Sequence, residues 1–311
     1  MFDLKLTRRQ FLAATAAAGG AASSLQLLAG RAVATTETSA YTASSITQTG
    51  QPASETSAYA AAVLAKQPVG YWRLGESSGP TVADSSGHGH DGVVHATARL
   101  GERGALVSDA DSAIKLDGKR SYIEIPDDPA FSQPTSGQGL SVEVWMRPDT
   151  LTFKGQTSEH YVHWLGKGEP GGYEWTFRFY SKNSKRPNRI SAYMFSPDGG
   201  LGAGAFVEEP LAVGEWMHLV ACFDPGDASS PGHPGAHLYK NGRAVADSSG
   251  ARYNTRLWQI APAHTAAPVR LGTRDLGSFL QGALDEVAIY PRVLSVDEVA
   301  ANYRASGRGT A

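Results

Sequence analysis

The chain has 311 residues, 28 Lys and Arg against 30 Asp and Glu for a formal net charge of −2, 35 glycines and one cysteine. This balance gives no electrostatic footprint for nucleic acid or an anionic membrane, and one cysteine excludes an intrachain disulfide. After the first 34 residues no run is long and apolar enough to span a bilayer.

In chain order, MFDLKLTRRQFLAATAAAGG places Arg8 and Arg9 before a short alanine-rich run ending at Ala32-Val33-Ala34. That is the pattern of a twin-arginine export signal, so residues 1–34 are set apart from the fold. The protein is expected outside the cytoplasm, whether extracellular, cell-surface or periplasmic, without stable membrane insertion after cleavage. Without this leader, 24 basic residues face 29 acidic ones, a net charge of −5. Residues 35–57 are rich in Ser and Thr and lack apolar periodicity, as a flexible linker does. Residues 58–306 then form one domain.

AYAAAVLAK at 58–66 is a short helix candidate. Asp117-Gly118 between the apolar runs of 113–126 predicts a hairpin. Leu140, Val142, Val144 and Met146 alternate with Ser141, Glu143 and Trp145, a core-facing strand ended by Pro148. Met217, Leu219, Ala221 and Phe223 repeat the pattern, with His218 as a core histidine and Cys222 as a small buried hydrophobe. Asn241-Gly242 fits a type I′ hairpin within 237–245, strands follow at 269–272 and 282–290, and Ser295 with Glu298 forms a capping box. Many short strands, glycine-rich turns and no crossover helices predict an all-β, two-sheet antiparallel sandwich of jelly-roll type with short peripheral helices.

The stretches PVGYWRLGE, ADSSGHGHDG, AIKLDGKRSYIEIP, LSVEVWMRP, GEWMHLVACFD, LYKNGRAV and GALDEVAIYPRVLSVDEV, in this order, resemble the laminin G-like, concanavalin A-like jelly-roll family of secreted bacterial proteins. The resemblance runs from Ala58 to Arg304 and implies a curved β-sandwich, a sugar-binding or adhesion role, and one calcium ion.

The loop ADSSGHGHDGVVH at 83–95 admits several chemistries. His88, His90 and His95 could serve zinc or copper, although the flanking glycines leave them poorly pre-organised for tetrahedral ligation. A phosphate loop would open a helix, whereas this one leads into a strand, and an EF-hand would need Glu where His95 stands. Glycine turns that aim carbonyls inward beside a carboxylate suit half a calcium site. The resemblance implies that Asp84, the carbonyl of His90 and Asp285 surround that ion, leaving the histidine side chains as solvent-exposed bystanders. Asp285 alternates with Ala283, Val287 and Ile289, so its carboxylate needs a partner or a metal. The alternative is that Asp84 and Asp285 accept backbone N–H groups in tight turns.

Sugar binding needs aromatic platforms beside polar groups. The aromatic-rich segment 153–207 supplies Trp164, Tyr173, Trp175, Tyr180 and Tyr193 with Arg178 and Asn183; Tyr173, Trp175, Phe177 and Phe179 alternate, so they could equally be core. No Glu is followed two places on by Asp, as in glucanases of this architecture, and no Gln-x-His tripeptide occurs. The sequence therefore predicts a non-catalytic module that binds a glycan or another extracellular surface or protein. The alternatives are a polysaccharide-active enzyme, hydrolase or lyase, and a protein-interaction module.

Overall fold

Alternating apolar runs cut by glycine and proline turns become a two-layer sandwich. The computed structural model describes residues 57–107, 109–132, 139–153, 160–195, 203–224, 235–245 and 264–309, all within one compact unit spanning 54–311. The leader at 1–34 and all of the linker except Ser57 lie outside the described residues. The first strands are β1 (Gly70–Trp72), β2 (Thr81–Val82), β3 (Gly92–His95), β4 (Arg99–Arg103), β5 (Ser112–Asp117), β6 (Tyr122–Ile125), β7 (Leu140–Pro148) and β8 (Tyr161–Glu169). They are followed by β9 (Gly172–Tyr180), β10 (Arg189–Met194), β11 (Ala203–Glu208), β12 (Met217–Asp224), β13 (Gly235–Lys240), β14 (Arg243–Ala244), β15 (Val269–Leu271) and β16 (Gln281–Tyr290). Two helices, α1 (Ala58–Leu64) and α2 (Val296–Ala305), flank them, and α2 starts with the expected Ser295/Glu298 capping box.

The first sheet runs β14-β13-β12-β7-β16-β5-β4, with β1 also on β16; the second runs β11-β10-β9-β8-β15-β6-β3-β2. The pairings within both are antiparallel. The aromatic segment 153–207 supplies β8 to β11, half of the second sheet. Asn241 (φ 51°) and Gly242 (φ 75°) make the expected tight hairpin turn between β13 and β14.

The stretch 113–126 corrects the sequence reading. Asp117-Gly118 does not close a hairpin: β5 pairs with β16 and β4 in the first sheet, whereas β6 pairs with β15 and β3 in the second. The turn crosses between layers. Asp117 Oδ1 accepts the N–H groups of Lys119, Arg120 and Ser121 at 2.9–3.0 Å, and Gly118 takes a φ of 70°. Asp-Gly chemistry fixes the bend, and the apolar pattern places Ile114, Leu116, Ile123 and Ile125 in the inter-sheet core whichever sheet each strand joins.

Leu140, Val142, Val144 and Met146 fill that core together with Met217, Leu219, Ala221 and Phe223. The opposite face of the first sheet is buried too. Trp145, Val220, Cys222, Ala288 and Tyr290 pack there against Tyr59, Ala60 and Val63 of α1 and Val299 of α2. Cys222 is fully enclosed, and burial pushes its thiol up to about 12, which leaves it an inert hydrophobe.

At the centre of this helix-covered layer lies Glu143, fully buried on β7. Its carboxylate accepts from Tyr59 (2.9 Å) on α1, Tyr290 (2.6 Å) on β16 and Asn302 (2.8 Å) on α2, and it lies 2.6 Å from His218 Nε2 on β12. Burial would raise this carboxyl; the hydrogen bonds from His218, Tyr290 and Tyr59, with the charge of His218, overcome that and hold it below its ordinary value.

Glu143→Ala strands these partners in an apolar layer, and it should lower stability by about 3–5 kcal/mol in urea denaturation. Because the folded carboxyl is depressed, the stabilisation is present above the unfolded value of about 4.3 and is lost as pH falls through the folded value. Glu143→Ala should therefore flatten the acid limb of the stability profile.

Candidate functional site

The 83–95 loop is wired by protein donors. Trp72 on β1 pairs with Val287 of β16 on one edge and with Asp84 on the other, so Asp84 and β16 lie on opposite sides of β1. Asp84 Oδ1 accepts the N–H of Tyr71 (2.9 Å) and of Ser86 (2.9 Å); Oδ2 accepts the Ser86 hydroxyl (2.8 Å) and the His90 N–H (3.0 Å). These four donors match the roughly four acceptor positions of a carboxylate. Against the effect of burial, they hold Asp84 below the usual carboxylate range. The His90 carbonyl accepts the Trp72 indole N–H at 2.7 Å.

The His90 ring is not a solvent-exposed bystander. Nδ1 lies 2.8 Å from the Val69 carbonyl oxygen, Nε2 lies 3.2 Å from Asp128, and the ring packs edge-on against Phe131 with centroids 4.7 Å apart. His95 stacks on Tyr122 instead, at 4.5 Å and 5°. Among the described residues, no three His, Cys, Asp or Glu side chains come close enough together to hold a metal.

Asp285 belongs to a different cluster. β16 pairs with β5 over residues 281–284 and with β1 over 287–289, and its pairing with β7 shifts register between Asp285 and Ala288. Glu286 takes a φ of 50° in that irregular stretch. Asp285 Oδ2 accepts the Ala105 N–H at 2.7 Å, while Oδ1 has no hydrogen-bond partner. Burial, then the charge of Glu286, pushes the Asp285 carboxyl well up. Glu286 accepts from the Tyr71 hydroxyl and from Arg73, which also reaches Asp109 (2.5 Å) and Asp111 (2.7 Å). Burial raises Glu286 to about 7, opposed by Arg73 and the Tyr71 hydroxyl.

Asp84, the His90 carbonyl and Asp285 therefore do not fit one calcium ion. Calcium asks for six to eight oxygens. Two of the three expected donors are engaged by N–H and O–H groups, and the third is drawn to an arginine-carboxylate cluster on the other side of β1.

The residues expected to bind sugar separate into two sets. Trp164 and Trp175 are core, not platform. Trp164 continues the inward face of Val162, its ring 5.2 Å from Phe177, and the Trp175 indole donates to the Phe131 carbonyl at 2.9 Å. Asn183, in the turn after β9, accepts from the Ser181 hydroxyl and stands apart.

Tyr173, Arg178, Tyr180 and Tyr193 lie on the outer face of the second sheet. A register shift between Lys167 and Gly168 frees Tyr173 from the alternation of Trp175, Phe177 and Phe179, leaving it 38% exposed. The Arg178 guanidinium lies 4.3 Å from the Tyr193 ring centroid, 5.3 Å from Tyr161 and 5.5 Å from Phe195. Tyr180 is buried beside Tyr161, with centroids 5.0 Å apart.

Sequence reasoning missed Tyr161, His163, Ser191, Phe195 and Arg274 on this face. Ser191 and Phe195 were readable, since Arg189, Ser191, Tyr193 and Phe195 alternate against Ile190, Ala192 and Met194. Arg274 follows β15 in a loop that carries no period. A cleft of about 690 Å³ between the β13–β14 turn and α2 offers one aromatic ring among its lining residues, Tyr303. That ring is stacked on Trp145 at 5.9 Å.

Residues 117–300 match a laminin G family described as the concanavalin A-like lectin/glucanases superfamily. A comparison with curated proteins gives no match. Among solved structures, the receptor binding domain of botulinum neurotoxin C/D mosaic serotype superposes with a TM-score of 0.54 at 12% identity, over 78% of this chain and 51% of that one. The binding domain of botulinum neurotoxin DC in complex with SialylT gives 0.53 at 10%, over 78% and 52%. The same binding domain in complex with rat synaptotagmin II gives 0.53 at 9%, over 78% and 52%. The chain thus spans about half of each, and at these identities the likeness is one of fold.

Two outcomes check the reading of the carboxylates. Asp84→Asn, which replaces an acceptor by a donor, should destabilise by about 1–3 kcal/mol, equally in calcium and in chelator; a loss confined to calcium would restore the ion. Glu286 has a raised folded value, so its stabilisation is complete below the unfolded value of about 4.3 and fades as pH rises through about 7. Glu286→Gln should remove that decline in a series of thermal melts across this range.

Proposed function

The chain belongs to the concanavalin A-like lectin/glucanase superfamily, and from that premise we propose that it is a non-catalytic module that binds carbohydrate through the outer face of its second sheet. One observation carries this reading: that face groups Tyr161, Phe195 and the exposed Tyr173 with Arg178, and Tyr193 and Arg274 are buried beside them. Rings there can stack on the C–H faces of sugars, and the guanidinium groups can donate to hydroxyls. Among the described residues, α1 and α2 cover the corresponding face of β7, β12 and β16 in the first sheet.

The arrangement of carboxylates supports binding over catalysis. Glycoside hydrolysis needs two carboxyl groups free to act as acid and as base or nucleophile. On the outer face, Glu124 and Glu169 share Arg270 at 2.8 and 2.5 Å and Glu208 pairs with Arg189, while the buried Glu174 is 2.6 Å from Lys167. Asp275 accepts from the N–H groups of Gly277 and Ser278 at 3.0 and 2.9 Å. The superposed binding domains, one in complex with SialylT and another with synaptotagmin II, lend the fold to recognition of a surface. The leader read at residues 1–34 would deliver such a module outside the cytoplasm.

Purified protein should give selective signals on a glycan array. Tyr173→Ala should weaken the best ligand about tenfold, or about 1.4 kcal/mol, without lowering the melting temperature, since this ring lies largely outside the core. Turnover of any polysaccharide by the purified protein would overturn the non-catalytic reading. A blank array alongside tight binding of a protein would replace the carbohydrate.

A further inference from the structure

Three facing residues form a row across three strands on the outer face: Ser191 on β10 stands opposite Arg178 on β9, and Arg178 opposite His163 on β8. Arg274 comes in from the loop after β15. Its guanidinium lies 4.5 Å from the Tyr173 ring and 5.2 Å from Phe195, the ring that Arg178 also approaches at 5.5 Å. Two guanidinium groups therefore meet around one phenyl ring. The Arg274 side chain packs over Gly166 on β8, where a Cβ would stand 3.1 Å from its Cδ.

No carboxylate among the described residues forms an ion pair with either arginine; burial lowers the Arg274 guanidinium, and the charge of Asp275, whose Oδ2 lies 4.0 Å from His163 Nε2, only partly opposes that. Asp275, next in sequence, directs its oxygens to Gly277, Ser278 and the Ser278 hydroxyl at 2.9–3.1 Å. Arg274 is only 4% exposed and donates to the Gly168 carbonyl at 3.2 Å. The Nε atoms of Arg178 and Arg274 and the hydroxyl of Ser191 are buried with no hydrogen-bond partner. Buried cations and donors left open in this way carry a desolvation cost that an acceptor would offset. His163 completes the setting. Burial first, then the charges of Arg274 and Arg178, push its imidazole down to about 2, so it adds no third charge.

We propose that Arg178 and Arg274 are the receptor for a negatively charged group, a carboxylate or a sulfate ester, carried by the glycan, so that the ligand class is an acidic polysaccharide. The proposal rests on the glycan-binding reading of this face and narrows it. Guanidinium is suited to planar, charge-assisted pairing with such oxyanions. Tyr173, Tyr193 and Phe195 would flank the sugar ring that bears the charge. Ser191, in the same row, supplies a further hydroxyl donor.

The test compares an oligogalacturonate with its carboxyl-reduced neutral form, and dextran sulfate oligosaccharides with dextran, by titration calorimetry on the purified protein. At least one acidic probe should bind about tenfold or more tightly than its neutral counterpart, and the pair that shows the preference identifies carboxylate or sulfate. Arg178→Gln and Arg274→Gln should each abolish that preference. In the absence of ligand, Arg274→Gln should leave the melting temperature unchanged or raise it, because a buried unpaired charge is removed; should it fail to fold, the more exposed Arg178→Gln carries the test. Equal binding of acidic and neutral forms, or binding confined to neutral glycans, would overturn this inference and leave the glycan-binding reading intact. An acid preference that survives Arg178→Gln would overturn the arginine assignment. Failure to bind either probe pair, together with a blank array, would overturn both.

Discussion

The carboxylate of Glu143 decides which surface of this sandwich is open. It is buried at the middle of β7, where no water can solvate it, and an unpaired charge there would cost several kcal/mol. The fold meets that cost by bringing α1, α2, β12 and β16 to it, so that Tyr59, Asn302, His218 and Tyr290 surround one carboxyl group. Both helices are thereby fixed on the first sheet, with Trp145 enclosed between Tyr59 and Tyr303. The central strands β7, β12 and β16 of the first sheet are consequently buried on both faces, and the aromatic-basic face falls to the second.

Two clusters of buried carboxylate show opposite solutions to the same electrostatic problem. At Glu143 the site is closed by donors, and the charged form is favoured. At Asp285 and Glu286 two adjacent carboxylates share a buried irregularity with one arginine, so burial and mutual repulsion favour the protonated form. The irregularity lies between the stretch of β16 that pairs with β5 and the stretch that pairs with β1. There Arg73, just past the end of β1, can reach Glu286, Asp109 and Asp111 together. The Asp285 carboxyl on this apolar strand face keeps one partner, the Ala105 N–H.

The parts of this architecture that are readable from sequence are those set by local chemistry. Period-2 alternation located β7, β12 and β16, the Asn241-Gly242 pair its hairpin, and Ser295 with Glu298 the start of α2. Non-local facts stayed hidden. Alternation at β7 separates its two faces and does not reveal that Ser141, Glu143 and Trp145 are covered by helices distant in sequence. Asp117-Gly118 gives a turn but not the sheet that each flanking strand joins. The same limit governs the candidate site: aromatic content marked β8 to β10, yet whether Trp175 or Tyr173 points outward depends on a register shift between β8 and β9. Arg274 reaches the face from a loop, where no periodicity could place it.

The contrast among the cations bears most directly on function. Arg73 has three carboxylates, Arg270 two, Lys167 two, and Arg292 is paired with Glu298. In a chain with more acidic than basic residues, counter-charges are abundant, and these arginines and this lysine have drawn on them. Among the described residues Arg178 and Arg274 form no ion pair, and only the charge of Asp275, spent on backbone N–H groups, acts on Arg274. They share a ring instead of a carboxylate, beside a neutral histidine and an unbonded serine hydroxyl, on the sheet face that the helices leave open. A purely structural pair of arginines would gain from an ion-paired Asp or Glu. Keeping both positive charges without one lowers the stability of the empty protein and raises the affinity for whatever anion arrives, which is how a binding site differs energetically from a core.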